Sequence, residues 1–405
     1  MTRTRRILLW VLLPLLALLV LVPLAGVGLL LSDTGSRWVL ERVPGLSLER
    51  YQGALLGQWQ ADRLQWESDE TRVVLEQPLM ELDAACLWRG MLCLEQLQVK
   101  RVTLELPDST DEPDEPAAGV ELPDINLPVA VRIGQLEVGE LLLNGEGLLS
   151  QLQLAASASG NELVVGNLSL VYDTYQAALD GRLQLNEQWP LEFTLDAGGE
   201  LPELGQQQLS VRLDGALRDE VRLDGVLQGA LTGTLQARLQ PLRAALPASL
   251  ELALQRLELG GLLPADMLVE SVGLTAKGSL EQGFVWQLDS ALQARQQAFA
   301  LAGHGSAGLS GALLEQLRLS HAEENRYVQI QGHADWAGSL SASAQAYVEQ
   351  FPWQYFAGMD EAPVQIDAAQ LVVDYADDHY QGSVQGKLRG PAGEFAIDSR
   401  LKGNA

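Results

Sequence analysis

Along much of this chain an apolar residue is followed by a polar one, and that by another apolar one. Leu191, Phe193 and Leu195 alternate with Glu192, Thr194 and Asp196. Leu209, Val211 and Leu213 alternate with Ser210, Arg212 and Asp214. Leu231, Leu235 and Leu239 share a phase with Gly233 and Ala237, and Leu250, Leu252 and Leu254 continue it. Val328 with Ile330, and Leu371 with Val373 and Tyr375, repeat it further on. A β-strand turns successive side chains to opposite faces, so each run predicts a strand with one apolar and one polar face. Leucine prevails among the apolar residues and by propensity alone favours helix, but the period of two overrides it.

Turn signals separate these runs: Asn144-Gly145, Asp180-Gly181, Asp214-Gly215, Asp224-Gly225 and Gln331-Gly332. Asn-Gly and Asp-Gly favour tight hairpins, so each is expected to join two strands. The fragment Leu-Asp-Gly recurs at 179–181, 213–215 and 223–225, a degenerate strand-turn repeat. About 25–30 strands follow from this reading, and at ~4.8 Å per strand one sheet would run ~120–140 Å. So long a sheet is expected to twist and curl into a trough. Pro241–Ala248 and Phe351–Met359 break the alternation and read as loops or short helices.

The first residues follow another pattern. Arg3, Arg5 and Arg6 precede 25 residues, Ile7–Leu31, without a charge. That exceeds the ~20 residues that cross a bilayer, and the basic end is expected to stay in the cytosol. A cleaved signal peptide has a shorter apolar stretch and a small-x-small site, which Leu29-Leu30-Leu31-Ser32-Asp33 does not offer. Ser32–Ser36 reads as the cap of a short helix, Arg37–Arg42, ended by Pro44-Gly45. The resulting division is a cytosolic tail (1–6), a membrane anchor (7–31), a first exported region (32–106), an acidic Pro-rich loop (107–124) and a repetitive β-region (125–405). The acids of Pro107–Pro116 do not follow the spacing of a calcium loop.

Charge narrows the partners. The chain carries 27 basic and 53 acidic residues, a formal charge of −26. A surface this acidic repels nucleic acid and anionic headgroups, which argues against a nucleic-acid-binding or peripheral membrane protein.

Chemistry is scarce. Cys86 and Cys93 are too few for a four-ligand zinc site. Strands meeting at a tight Arg89-Gly90 turn would bring them together, and an oxidising compartment would join them; the alternative is two small buried residues. His304, His321, His333 and His379 show no metal-ligand spacing. Gly303-His304-Gly305-Ser306-Ala307-Gly308 matches a dinucleotide fingerprint, but no βαβ pattern surrounds it, so it reads as a flexible turn between strands. No nucleophile elbow or phosphate loop is present. No catalytic residue, metal or cofactor is expected.

A family resemblance rests on several segments after the apolar stretch: Thr34–Leu40, Val43–Leu46, Gly53–Trp59, Leu64–Trp66, Cys86–Cys93 and Leu97–Val99. Together they resemble the N-terminal part of the TamB family, inner-membrane subunits of the translocation and assembly module, related to AsmA-like and bridge-like lipid-transfer proteins. The specific motifs cover roughly residues 1–106. The resemblance implies a mostly β protein: a transmembrane helix in the bacterial inner membrane, then an elongated, curled periplasmic sheet, a β-taco. It implies that phospholipid passes along an apolar groove toward the outer membrane, and that the partner is an outer-membrane Omp85-type barrel, TamA-like. The lining expected from the alternation is Leu191, Phe193, Leu195, Leu209, Val211, Leu213, Leu231, Leu235, Leu239, Leu250, Leu252 and Leu254. The alternative is a scaffold that receives outer-membrane polypeptides by strand addition. Family members are longer and end in a domain that meets the barrel, so a chain stopping at Leu401–Ala405 reads as an N-terminal portion.

Overall fold

A computed structural model describes residues 28–68, 71–106, 122–202, 204–257, 267–321, 325–376 and 378–404. The expected anchor (7–31), apart from its last residues, and nearly all of the acidic loop (107–124) lie outside them. No helix among the described residues is long and apolar enough to cross a membrane. The chain divides into two compact units, residues 1–115 with 123–187, and residues 116–122 with 188–405.

The first unit begins with a helix, Asp33–Leu40, earlier than the expected Arg37–Arg42. Ser32 caps it, its Oγ accepting from the Gly35 N–H at 3.2 Å. In chain order its strands are β1 (Leu46–Glu49), β2 (Gln52–Gly53), β3 (Gln58–Gln60), β4 (Arg63–Glu67), β5 (Arg72–Glu76), β6 (Leu79–Asp83), β7 (Met91–Val99), β8 (Arg101–Glu105), β9 (Leu127–Val138), β10 (Leu141–Leu143), β11 (Glu146–Leu149), β12 (Gln151–Gly160), β13 (Glu162–Tyr172) and β14 (Tyr175–Gln184).

They form a six-stranded sheet, β1-β4-β5-β8-β10-β11, and a ladder, β2-β3-β6-β7-β9-β12-β13-β14. The pairs β7–β9 and β8–β10 are parallel, and the rest are antiparallel. Tyr51, Trp59 and Ala61 are buried together, and Leu48 and Leu64 of the sheet meet Met80 of the ladder around them.

The second unit is simpler. It comprises β15 (Pro190–Leu201), β16 (Gly205–Ala216), β17 (Val221–Gly229), β18 (Thr232–Leu239), β19 (Ala248–Leu257), β20 (Met267–Ser279), β21 (Gly283–Ala294), β22 (Gln297–Ala307), β23 (Gly311–His321), β24 (Tyr327–Asp335), β25 (Ser341–Glu349), β26 (Gln365–Ala376), β27 (His379–Gly390) and β28 (Gly393–Asn404). From β15 to β28 each strand pairs antiparallel with the next. Among the described residues no closed barrel forms, and β28 bonds only to β27.

The connections correct the sequence reading. Only Asn144-Gly145 is a hairpin turn, with φ of 49° and 85° between β10 and β11. Asp180-Gly181, Asp214-Gly215, Asp224-Gly225 and Gln331-Gly332 lie within strands. In Leu-Asp-Gly the Leu and Gly share one face and the Asp takes the other. Gly225 shows why glycine is used there: a Cβ on it would meet the Cβ of its cross-strand partner Leu235 at 3.3 Å. One real turn, Arg295-Gln296 between β21 and β22, has two positive φ values and neither Gly nor Asn. The break at Phe351–Met359 holds a short 3-10 helix, Trp353–Tyr355, and Pro241–Pro247 is a loop ahead of β19, which begins at Ala248.

Candidate functional site

The distinctive feature of the second unit is how its strands align sideways. Register carries Leu195 to Val211, Gly225, Leu235, Leu252, Leu274 and Leu288, then to Gly303, Leu317, Ile330, Ala346, Leu371 and Val384. A parallel row runs Phe193, Leu213, Leu223, Ala237, Leu250, Ala276, Trp286 and Gly305, and on to Leu314, Gly332, Ala344, Val373, Gly382 and Leu401. Rows through Ala197, Leu209, Leu227, Gly233 and Leu254, and through Leu191, Gly215, Val221, Leu239 and Ala248, flank them. Side chains in register on one face touch, so the rows form one apolar surface across fourteen strands. Two irregularities, at His304/Gly305 and at Leu314/Leu317, fall on successive pairings of β23 and offset each other, which keeps the rows in phase.

The opposite face is mainly polar, with Val226, Val285 and Leu313 as exposed apolar exceptions. Arg212 pairs with Glu192 at 2.7 Å and Ser210 donates to Asp196 at 2.5 Å. His304 faces Glu315 at 3.3 Å, both exposed. Exposed pairs of this kind contribute at most about 1 kcal/mol each.

Of the twelve residues expected to line a groove, eleven stand on these four rows. Leu231 does not: it sits in the bend before β18, where the buried Gln207 amide accepts from its N–H at 2.9 Å and donates to its carbonyl at 2.8 Å. Ten of the twelve are partly buried, Val211 is buried and Leu239 is exposed. A sealed core would bury nearly all of them, so this face is incompletely covered. Toward the last strands Leu371, Val373, Val384, Ile397 and Leu401 are exposed.

One edge of the face is covered. Phe351 and Phe356, from the connection between β25 and β26, pack on Phe299 with ring centroids 5.9 and 4.8 Å away. Met267, Leu292, Leu319, Val328 and Val348 complete this cluster. Phe299 and Trp286 do not stand out in the sequence, because alanine surrounds Phe299 and the apolar run Phe284-Val285-Trp286 masks the alternation around Trp286.

The Gly303–Gly308 fingerprint is not a turn. Gly303 and Gly305 lie inside β22, and Gly311–Leu319 lies in β23. A Cβ on Gly303 would meet Leu317 Cδ1 at 2.8 Å, so these glycines make room for neighbouring side chains. At the far end of the rows Tyr375 donates to Asp378 at 3.1 Å, and the partnership with that carboxylate, more than burial, holds its hydroxyl above the usual phenol range.

Cys86 and Cys93 are buried and disulfide-bonded, with Cα atoms 5.9 Å apart. The linkage is not the expected one between two strands. Cys86 lies in a 3-10 helix, Ala84–Arg89, which Gly90 ends in the left-handed region at φ 72°, and only Cys93 is in a strand. The one group with metal-like spacing among the described residues is Cys86, Cys93 and Glu95, and the disulfide takes up both its sulfurs. The four histidines occupy four different strands.

The pattern of the TamB N-terminal domain matches residues 19–138 and 116–369. The chain belongs to the TamB N-terminal domain family. The second match of this TamB-family chain takes in β15–β25 and the start of β26, so the apolar rows lie largely within the family region. No solved structure matches the chain.

Proposed function

We propose that the apolar face of β15–β28 carries the acyl chains of phospholipids. In this reading Ile7–Leu31 anchors the chain in the inner membrane, and the rest stands in the periplasm and passes lipid toward the outer membrane. It works there with an Omp85-type barrel in outer-membrane biogenesis, and it catalyses no reaction. The single observation behind this is the set of apolar rows, that from Phe193 to Leu401 running through all fourteen strands, on a face that stays partly exposed. Each methylene taken out of water contributes about 0.8 kcal/mol, so an uncovered apolar path lowers the barrier to moving a chain of any length. The polar face and open ladder suit a path along which the charged headgroup remains wet.

Photoreactive residues at Leu223, Leu235 and Leu252, with Thr234 and Gln236 as opposite-face controls, test it in intact cells. Phospholipid adducts at the three apolar positions and not at the controls support the conduit. Equal adducts on both faces, or none, overturn it. Adducts with unfolded outer-membrane polypeptide in place of lipid would favour the strand-receiving scaffold.

A further inference from the structure

From the joint between the charge-free stretch and the first unit, we infer that the helix Asp33–Leu40 rests on the lipid headgroups, with Trp38 and Arg42 as its contact pair. This rests on the reading of Ile7–Leu31 as a membrane span.

Two independent observations meet here. The first is a rigid joint. The Leu29 carbonyl accepts from Ser32 N–H at 3.2 Å and Ser32 Oγ at 2.9 Å. The Leu30 carbonyl accepts from Ser36 Oγ and from Leu56 N–H, both at 3.0 Å. Ser36 is fully buried and its Oγ also accepts from Leu55 N–H at 2.9 Å. Asp33 accepts from Gly53 N–H at 2.8 Å, and Arg37 donates to the Tyr51 carbonyl at 2.8 Å. A Cβ on Gly35 would stand 2.2 Å from the Leu29 carbonyl oxygen, so only glycine permits this approach. The last carbonyls of the charge-free stretch are therefore capped by the folded unit, with no slack between them.

The second observation is what this joint leaves uncovered. Trp38 is 50% exposed, and the Arg42 guanidinium stacks 3.6 Å from its ring centre while donating to the Trp38 carbonyl at 3.0 Å. Leu29, Leu31 and Val43 are exposed as well. Trp38 lies seven residues beyond the last charge-free position, Leu31, and helical rise keeps it within roughly 10 Å of that point. Indole rings with one wet edge concentrate at that depth, and a guanidinium binds phosphate through paired N–H donors. The chain as a whole is at −26, yet from Leu29 to Val43 Arg37 and Arg42 balance Asp33 and Glu41. The patch is thus locally neutral, and a headgroup layer does not repel it.

The full-length chain is reconstituted in nanodiscs of phosphatidylethanolamine and phosphatidylglycerol, with benzoylphenylalanine at one position at a time. Position 38 should give lipid adducts on irradiation, and Arg42→Glu should reduce their yield several-fold. Tyr172, of similar exposure, lies six strands along the ladder from β2, or about 29 Å, and should give none. A probe at Leu19 reports on the span itself. Adducts at position 19 without adducts at 38, or equal yields at 38 and 172, overturn the contact and leave the anchor standing. Adducts at neither 19 nor 38 overturn both.

Discussion

The indole of Trp286 lies against Gly305, its direct cross-strand partner. A Cβ on Gly305 would stand 3.0 Å from the ring's Cζ2 and 2.2 Å from the Leu313 carbonyl oxygen. Tyr380 and Gly403 repeat the relation, with the Tyr380 hydroxyl 2.3 Å from where a Gly403 Cβ would be. A large ring over a glycine fills the row without a step in the surface, at a position where glycine alone would leave a gap.

Gly305→Ala is expected to destabilise the second unit by about 1–3 kcal/mol, because the backbone oxygen of Leu313 cannot move aside as a flexible side-chain end would. Denaturant titration measures it. A midpoint unchanged from the parent would show that the strand shifts freely. Gly338→Ala serves as the control, since nothing stands within 4 Å of its Cβ position.

Gln207→Leu should cost about 1–3 kcal/mol, since both the N–H and the carbonyl of Leu231 lose their partner in a half-buried site. Hydrogen exchange at the Leu231 amide checks it, and should accelerate more than exchange at the neighbouring β18 amides.

Cys86→Ser with Cys93→Ser should lower stability by roughly 2–3 kcal/mol, the value expected for so short a closed loop. Thiol labelling of the denatured parent without reductant should leave both sulfurs unmodified. Free thiols in freshly purified protein would contradict the linkage.

Alkaline stability should depend on Tyr51. Burial raises its hydroxyl above the ordinary value of about 10, the nearby Asp33 adds to this, and Ser36 and Arg37 oppose it. With the folded value the higher, the stabilisation is fully present below the unfolded value and is lost as pH rises through the folded one. Denaturation midpoints compared between about pH 8 and about pH 11 should fall less for Tyr51→Phe than for the parent. Equal falls would place the alkaline sensitivity elsewhere.

Much of the β-architecture was legible because alternation is a local property. Leu191, Phe193 and Leu195 show their shared face without reference to any other strand. The turns were less legible: Asp-Gly marks a hairpin only where no neighbour needs the space, and beside Leu235 the glycine serves the row. Lateral register was not legible at all. Nothing near Leu195 in sequence announces that it aligns with Val211 and Leu235, since that follows from the lengths of the connections between β15 and β18. Cys86 and Cys93 were legible as neighbours, but the 3-10 turn that joins them was not, because both geometries fit the same spacing.

The strictly sequential pairing of β15–β28 also bears on how this part of the chain comes into being. Every strand after the first bonds to one that precedes it in the chain, so no segment must await another made much later. Contacts of short sequence separation form early and quickly. The array can therefore order itself strand by strand as it leaves a ribosome or a translocation channel. Its energetics approximate a line of neighbours more than a single cooperative body. A local lesion should fray a few strands on either side of itself and leave distant ones paired.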